Sequence, residues 1–279
     1  MDMLSAAARS ENLERMARER FDVLVIGGGI TGAGVALDAA TRGYSVALVE
    51  RNDFASGTSS KSTKLAHGGI RYLPQFDFAL IHEALVERGL MLENVPFLVR
   101  PVGFVLPMYQ GDRHPVGLPV TLPFGVGNGL ILNIGLYLYD ALAGKRNIHR
   151  HRRINRKEAL KLAPSLRPEG LREAFTYYDA QLDDAQLTVV SMRTAARWNA
   201  VIANHAEVIG FQKQDGKLSA AQVRDKLTGR EIAVQARHFV NAGGIFAERI
   251  EALTGADPQI QVQPSKGVHL VVSPDTLPL

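Results

Sequence analysis

The stretch "DVLVIGGGITGAGVALDAATRGYSVALVE", Asp22 to Glu50, constrains the fold more than any other part of this chain. A β-branched run from Asp22 ends in glycines at Gly27, apolar residues at helical spacing follow from Thr31 to Arg42, and Gly43 supplies a helix stop. A second β-branched run covers Ser45 to Glu50. Strand, helix and strand joined this closely predict a βαβ unit, with parallel strands and a right-handed crossover. Gly27, Gly29 and Gly32 form G-x-G-x-x-G at the strand-to-helix turn. Gly27 allows the turn, Gly29 lets backbone N–H groups approach a pyrophosphate, and Gly32 permits close packing of helix on strand. The glycines alone would mark only a tight turn. Glu50, closing the second strand, adds a carboxylate placed to accept hydrogen bonds from ribose hydroxyls, and the pair reads as a dinucleotide grip.

FAD and NAD share that grip, and the following residues discriminate between them. A nicotinamide enzyme usually continues into another strand and helix. Here "RNDFASGTSSKSTKLAHGGIRYL" is rich in hydroxyls and glycine, which suits an extended cofactor whose ribityl chain and ring need hydrogen bonds beyond the pyrophosphate. FAD is the expected cofactor. The chain has no cysteine, which excludes disulfides, thiolate metal ligands, Fe–S clusters and a thiol-linked flavin and is compatible with a reducing cytoplasm. Its eight histidines are scattered or sit in basic runs, so no metal site is expected. A hydrophobic share of 46% is enough for a real core, and a formal net charge of +4 gives no signal for nucleic acid.

The first twenty residues lack the apolar core of a secretory signal, and Asp2, Glu11, Glu14 and Glu19 argue against a transit peptide. They read as a frayed amphipathic helix preceding the fold. Phe76 to Asn94 has helical spacing closed by Pro96. From Pro101 the texture changes to short apolar runs broken by proline and glycine, "PVGFVLPMY" and "GLPVTLPFG", which predict antiparallel strands of an inserted layer. A helix over Asp184 to Asn199 and strands near Glu207–Phe211, Leu218–Asp225 and Glu231–Gln235 lead into "HFVNAGGIFAERIEALTG", a strand, a glycine turn and a helix. The chain ends at "GVHLVVSPDTLPL", a strand followed by two prolines.

The run from Asp22 through "TSSKSTKLAHGGIRYL" closely resembles the N-terminus of the FAD-dependent, quinone-linked glycerol-3-phosphate dehydrogenases. The likeness continues through "YYDAQLDDAQLTVVSMRTAA", "FVNAGGIFAERI" and "PSKGVHLVV". Flavin amine and amino-acid oxidases share the glycines and the acidic residue but not the "TSSKSTKLAHGGIRYL" string. The resemblance implies an α/β fold: an FAD-binding Rossmann-like domain of the glutathione-reductase/D-amino-acid-oxidase type with an inserted antiparallel-sheet cap, truncated at its C-terminus. The expected division is an N-terminal extension over 1–20, the FAD-binding domain over 21–96 and 170–256, the cap over 97–169, and the start of a second cap segment over 257–279.

Carried over residue by residue, the resemblance implies FAD contacts at Gly27, Gly29, Gly32, Glu50, Arg51, Thr58, Ser59, Lys64, Leu65, His67 and Gly68. It places Val208 at the adenine and Ala242, Gly243 and Gly244 at a second glycine turn near the diphosphate. One departure is visible: the family usually has Pro-Trp where this chain has Ile245 and Phe246, a change expected to alter packing rather than cofactor contact.

The implied reaction oxidises sn-glycerol 3-phosphate to dihydroxyacetone phosphate, with hydride passing from C2 to the flavin and electrons onward to quinone. It needs a phosphate clamp and a proton acceptor for the C2 hydroxyl. Arg71 matches the family arginine that holds the substrate phosphate, and a permanently charged planar fork is the right clamp. His67 and His269 are the histidines within family motifs, His269 being the candidate base, and Lys266 could add positive charge near the substrate. Two other readings stay open: an FAD-binding fragment without turnover, and another flavin-dependent amine or amino-acid oxidase.

No Asp, Glu, Lys or Arg occurs between Pro115 and Tyr139, and "GLILNIGLYLYDALAG" runs directly into the basic "KRNIHRHRRINRK". The prolines, glycines and asparagines make a poor membrane span. Apolar surface beside clustered Lys145, Arg146, Arg150, Arg152, Arg153, Arg156 and Lys157 has the composition of an interfacial anchor on anionic lipid. A buried core helix followed by a solvated basic loop has the same composition. Resemblance to quinone-linked enzymes favours the anchor, and with it a cytoplasmic protein peripheral on the inner face of the cytoplasmic membrane. It leaves open a homo-oligomer or a complementing C-terminal chain as partner.

Overall fold

The computed structural model describes residues 3–111, 128–257, 261–265, 267–268, 270–273 and 275–276. In chain order the elements are α1 (Ala6–Arg18), β1 (Arg20–Ile26), α2 (Ile30–Thr41), β2 (Val46–Val49), β3 (Leu65–Ala66), α3 (Phe78–Asn94), β4 (Val99–Tyr109), α4 (Asn128–Ala143) and β5 (Arg152–Asn155). They continue with α5 (Arg156–Leu162), β6 (Leu171–Leu182), α6 (Asp184–Arg197), β7 (Val201–Ala203), β8 (Ala206–Gln214), β9 (Lys217–Asp225), β10 (Glu231–Asn241) and α7 (Ala247–Ala252). Contacts divide the chain into two compact units, Met1–Thr63 with Asp183–Gly267, and Lys64–Leu182 with Val268–Leu279. The sequence predicted divisions near 96/97 and 169/170. They fall elsewhere because Ile81 and Leu85 of α3, and Phe175 and Tyr177 of β6, share one core in the second unit.

The first unit is built on a six-stranded sheet in the order β7-β2-β1-β10-β9-β8. β7, β2, β1 and β10 are parallel, and β10, β9 and β8 form an antiparallel meander. A parallel sheet is covered on both faces, which is why "VLVI" and "VALV" read as continuous apolar runs. Leu24 and Ile26 point into one core cluster and Val25 into the other. On the Val25 side α2 and α6 meet through Ala33, Ala36, Ala40, Ala195 and Ala196, small side chains that let the two backbones approach.

The N-terminal segment is not a frayed extension. Ser5 caps α1 by accepting from Ala8 N–H, and Leu13 and Met16 are buried in the same cluster as Leu24. Asn12 Nδ2 donates to Ile202 O at 2.9 Å, Arg9 Nε donates to Asn204 O at 2.9 Å, and Arg9 pairs with Asp225. Two apolar residues one helical turn apart are a faint sequence signal, but here they close one face of the sheet.

In the second unit β6 is central, with β4 along one side and β5 and β3 at opposite ends of the other. β4 keeps Pro101 and Pro107 within a paired strand because it lies at the sheet edge, where a missing N–H breaks no ladder. α3 and α4 cover one face through Ile81, Leu85, Leu132, Leu136 and Tyr139. The part of the predicted insertion at 112–127 lies outside the described residues. Among the described residues after 257 there is no helix or strand. The strand expected over "GVHLVV" is not formed among the described residues, of which Val268, Leu270, Val271 and Val272 are exposed.

Candidate functional site

In the first unit the glycine turn has the geometry the motif requires. Gly27 has φ +120°, and a Cβ there would stand 2.4 Å from Ala242 O. A Cβ on Gly32 would stand 2.0 Å from Gly27 O, so α2 seats on the turn only without a side chain at that position. Gly28, which the motif leaves free, is equally constrained: its Cβ would meet Glu50 Cβ at 2.7 Å. Gly27 N–H donates to Val49 O and Ala242 N–H to Ile26 O, both at 2.9 Å, fixing the two glycine turns at neighbouring strand ends.

Glu50 is held rather than solvated. Its Oε2 accepts from Gly28 N–H and its Oε1 from Asn52 N–H, both at 2.7 Å, so each oxygen keeps a fixed direction for its remaining lone pairs. Gly29 is the N-cap of α2 with no side chain to satisfy the first-turn donors, and Ser59 Oγ accepts from Ile30 N–H at 2.9 Å. Thr58 and Ser59 form a short 3-10 turn, with Thr58 exposed. Ser62 is tied to the first turn of α6: its N–H and hydroxyl both donate to Asp184 Oδ2, at 3.2 and 2.6 Å.

Arg51 stacks its guanidinium on Phe246, 3.8 Å from the ring centroid. Phe246 thus provides an aromatic face for Arg51, a cation–π contact between residues far apart in the chain. Ala242 follows β10, Gly243 is packed so that a Cβ would meet Ile250 Cδ1 at 2.3 Å, and Gly244 has φ +56°. Val208 lies in β8 with its side chain buried in the core, which leaves its backbone as the part able to face a ligand.

The second unit holds Lys64, Leu65, His67, Gly68 and Arg71. Lys64 adopts a left-handed conformation, φ +59°, and its carbonyl accepts from Leu182 N–H at 3.0 Å. Leu65 then pairs with Gln181 in the β3–β6 ladder. Gly69 has φ +75° and its N–H donates to His67 Nδ1 at 3.1 Å. Arg71 stands exposed on a 3-10 turn over Ile70–Gln75 and makes no hydrogen bond or ion pair among the described residues. Burial pushes the Tyr177 phenol up to about 12, aided by the Asp179 charge, while the nearby Arg71 guanidinium pulls it down. Lys266 and His269 lie outside the described residues.

Sequence reasoning passed over three residues of this unit. Asp179, Arg88 and Tyr139 are buried together beneath Gly68. Burial and the Asp179 charge both push the Tyr139 phenol up. Asp179 lies inside the quoted "YYDAQLDDAQL" string, whereas Arg88 and Tyr139 sit on helices whose pattern gives no hint of a polar core.

The described part of the apolar stretch forms α4, and the basic run after it spans a loop, β5 and the first residues of α5. α4 buries Leu132, Leu136 and Tyr139 and exposes Leu130, Ile134, Tyr137 and Leu138 on its other face. His151 is anchored to α4 through Nδ1 to Asp140 Oδ2 at 2.7 Å and Nε2 to Asn133 Oδ1 at 3.1 Å. Arg146, Arg152 and Arg153 pair with Glu93, Glu158 and Glu173. Lys145, Arg150, Arg156 and Lys157 are exposed without an ion pair among the described residues. No helix among the described residues is long and apolar enough to cross a membrane.

A family model described as FAD dependent oxidoreductase matches residues 22–279. Glycerol-3-phosphate dehydrogenase 2 of Mycobacterium bovis is 40% identical over 277 residues, spanning 98% of this chain and 45% of that protein. Aerobic glycerol-3-phosphate dehydrogenase of Bacillus subtilis is 37% identical over 275 residues, spanning 99% of this chain and 47% of that protein. The chain thus spans about half the length of these relatives. The glycerol-3-phosphate dehydrogenase of Bacillus halodurans complexed with FAD superposes with a TM-score of 0.66 at 32% identity, covering 89% of this chain and 39% of that one. An L-alpha-glycerophosphate oxidase of Mycoplasma pneumoniae with FAD bound shares the fold, with a TM-score of 0.61 at 17% identity. Over nearly all of its length after the first helix, the chain belongs to the family of FAD dependent oxidoreductases.

Proposed function

We propose that this chain is the FAD-binding part of a flavoprotein that oxidises sn-glycerol 3-phosphate to dihydroxyacetone phosphate. The residues present fit the cofactor: at Gly27, Gly28 and Gly32 a Cβ would collide with neighbouring atoms, and the carboxylate of Glu50 is fixed by two backbone donors. Gly29 and Gly244, whose N–H groups donate to no atom among the described residues, offer backbone amides to the diphosphate, Glu50 accepts from the ribose, and Arg51 with Phe246 forms a stacked edge beside it. Bound FAD supplies a two-electron group that accepts hydride.

The observation that carries the substrate reading is Arg71, an exposed guanidinium without a partner among the described residues, on the turn that follows Gly68 and Gly69. It is assigned to hold the substrate phosphate. His67 has Nδ1 engaged by Gly69 N–H, which favours His269 as acceptor of the C2 hydroxyl proton, with Lys266 adding positive charge. Electrons are assigned to pass to quinone at the inner face of the cytoplasmic membrane. The exposed apolar face of α4 and the exposed Lys145, Arg150, Arg156 and Lys157, without an ion pair among the described residues, support a peripheral lipid contact there.

Replacing Arg71 with alanine tests the substrate assignment. A rise in the Michaelis constant for glycerol 3-phosphate of at least about tenfold is expected with FAD retained, since a charge-assisted phosphate contact contributes about 1.5–3 kcal/mol. An unchanged constant removes Arg71 from the site.

A further inference from the structure

Beneath the Gly68 turn lies a buried charge pair. Asp179 Oδ1 accepts three hydrogen bonds: from Arg88 Nη1 at 2.6 Å, from the Tyr139 hydroxyl at 2.8 Å and from Gly68 N–H at 3.1 Å. Arg88 Nη1 also donates to Tyr178 O at 3.0 Å. The Arg88 and Asp179 side chains are 0% and 2% exposed, and Arg88 Nε and Nη2 are buried with no partner among the described residues.

Stability does not explain this arrangement. Each buried ion costs several kcal/mol in lost hydration, and apolar side chains of similar volume often serve as well or better. Each orphaned donor adds about 1–3 kcal/mol to that cost. What the cluster does hold is one backbone group of a glycine turn. Gly68 itself admits no side chain, because a Cβ would stand 2.2 Å from Leu85 Cδ2 and 2.4 Å from the Tyr139 hydroxyl. Gly69 then turns the chain at φ +75°, fixes His67 through Nδ1, and starts the 3-10 turn bearing Arg71.

We propose that Asp179, Arg88 and Tyr139 are positioning residues: the buried carboxylate fixes the Gly68 amide, and through it the turn that presents His67 and Arg71. The consequence for Arg71 rests on the substrate reading above, whereas the fixing of the turn does not.

The test uses the FAD-loaded chain carrying Tyr139→Phe, and separately the double replacement Arg88→Met with Asp179→Asn. The double variant removes both charges and keeps an acceptor for Gly68 N–H. Amide hydrogen exchange across 66–73 is expected to accelerate about tenfold or more in both, with α3 and β4 unchanged, since a hydrogen bond to a charged group contributes about 1.5–3 kcal/mol. The dissociation constant for glycerol 3-phosphate, followed by the flavin absorbance change, is expected to rise by a similar factor with FAD retained. Exchange at the wild-type rate, or a rise spread evenly over 64–182, overturns the proposal and leaves the cluster a purely structural role. A local rise with unchanged substrate affinity overturns it too, because the turn would then move without moving Arg71. If the wild-type chain takes up FAD but no glycerol 3-phosphate, the substrate reading fails, and the exchange measurement still decides whether the cluster fixes the turn.

Discussion

Gly32 and Gly34 sit two residues apart on α2, and alanine at each is expected to act in opposite directions. At Gly32 the new Cβ would lie 2.0 Å from Gly27 O, 3.1 Å from Gly27 C and 3.4 Å from Ala242 Cβ, all atoms of the two glycine turns. Reaching ordinary contact requires the first turn to retreat by about 1.4 Å. Overpacking of this kind costs about 1–3 kcal/mol, against which alanine regains about 1 kcal/mol of helix propensity. The turn that moves leads into Gly29, whose amide is assigned to the diphosphate, and losing one charge-assisted hydrogen bond there weakens FAD binding about tenfold. At Gly34 an added Cβ meets nothing within 4 Å, so only the propensity gain of about 1 kcal/mol remains. Thermal melts and FAD titration by flavin fluorescence read both effects, with about 2–4 °C expected per kcal/mol. Gly34→Ala should melt higher and bind FAD as the wild type does; Gly32→Ala should melt lower and bind FAD at least tenfold more weakly. Wild-type FAD affinity in Gly32→Ala would refute the assignment of the cofactor to this turn.

Two further outcomes follow from the packing and the surface. Deleting residues 1–19 removes the buried Leu13 and Met16, each contributing about 1.5–3 kcal/mol, together with the Arg9–Asp225 pair. A urea midpoint well below that of the full chain is expected, and an unchanged midpoint would show that α1 is dispensable to the core. In flotation with anionic vesicles the protein should rise with the lipid at low salt and be released as salt increases, and Ile134→Glu with Tyr137→Glu should abolish binding. Protein remaining in the soluble fraction at low salt would defeat the lipid contact.

Much of the first unit was legible because its signals are local. The βαβ beginning, the glycine turn and Glu50 occupy one continuous stretch in which strand and helix periods alternate and Gly27, Gly28 and Gly32 each face a close atom. The meander β8–β10 was equally plain, though β10 runs on through Asn241 to bring Ala242 beside Gly27. Features made by distant pairings were not legible. Arg88 and Asp179 stand 91 residues apart, and on α3 an arginine among charged neighbours reads as solvent-facing. α1 was misread for the same reason: its mean hydropathy is low, and only its partners on the sheet reveal that Leu13 and Met16 are buried. The apolar stretch before the basic run puts one face of α4 in the core and leaves the other exposed, a division set by its packing partners.

Under the proposed function the first-unit glycine turns hold FAD and Arg71 holds the phosphate of glycerol 3-phosphate. Anaerobic addition of glycerol 3-phosphate to the purified, FAD-reconstituted chain tests it most directly. The account predicts a yellow protein whose flavin absorbance bleaches with glycerol 3-phosphate and is left unchanged by amines and amino acids. A folded chain that stays colourless with added FAD, or one whose flavin bleaches with an amine or amino acid but not with glycerol 3-phosphate, contradicts it.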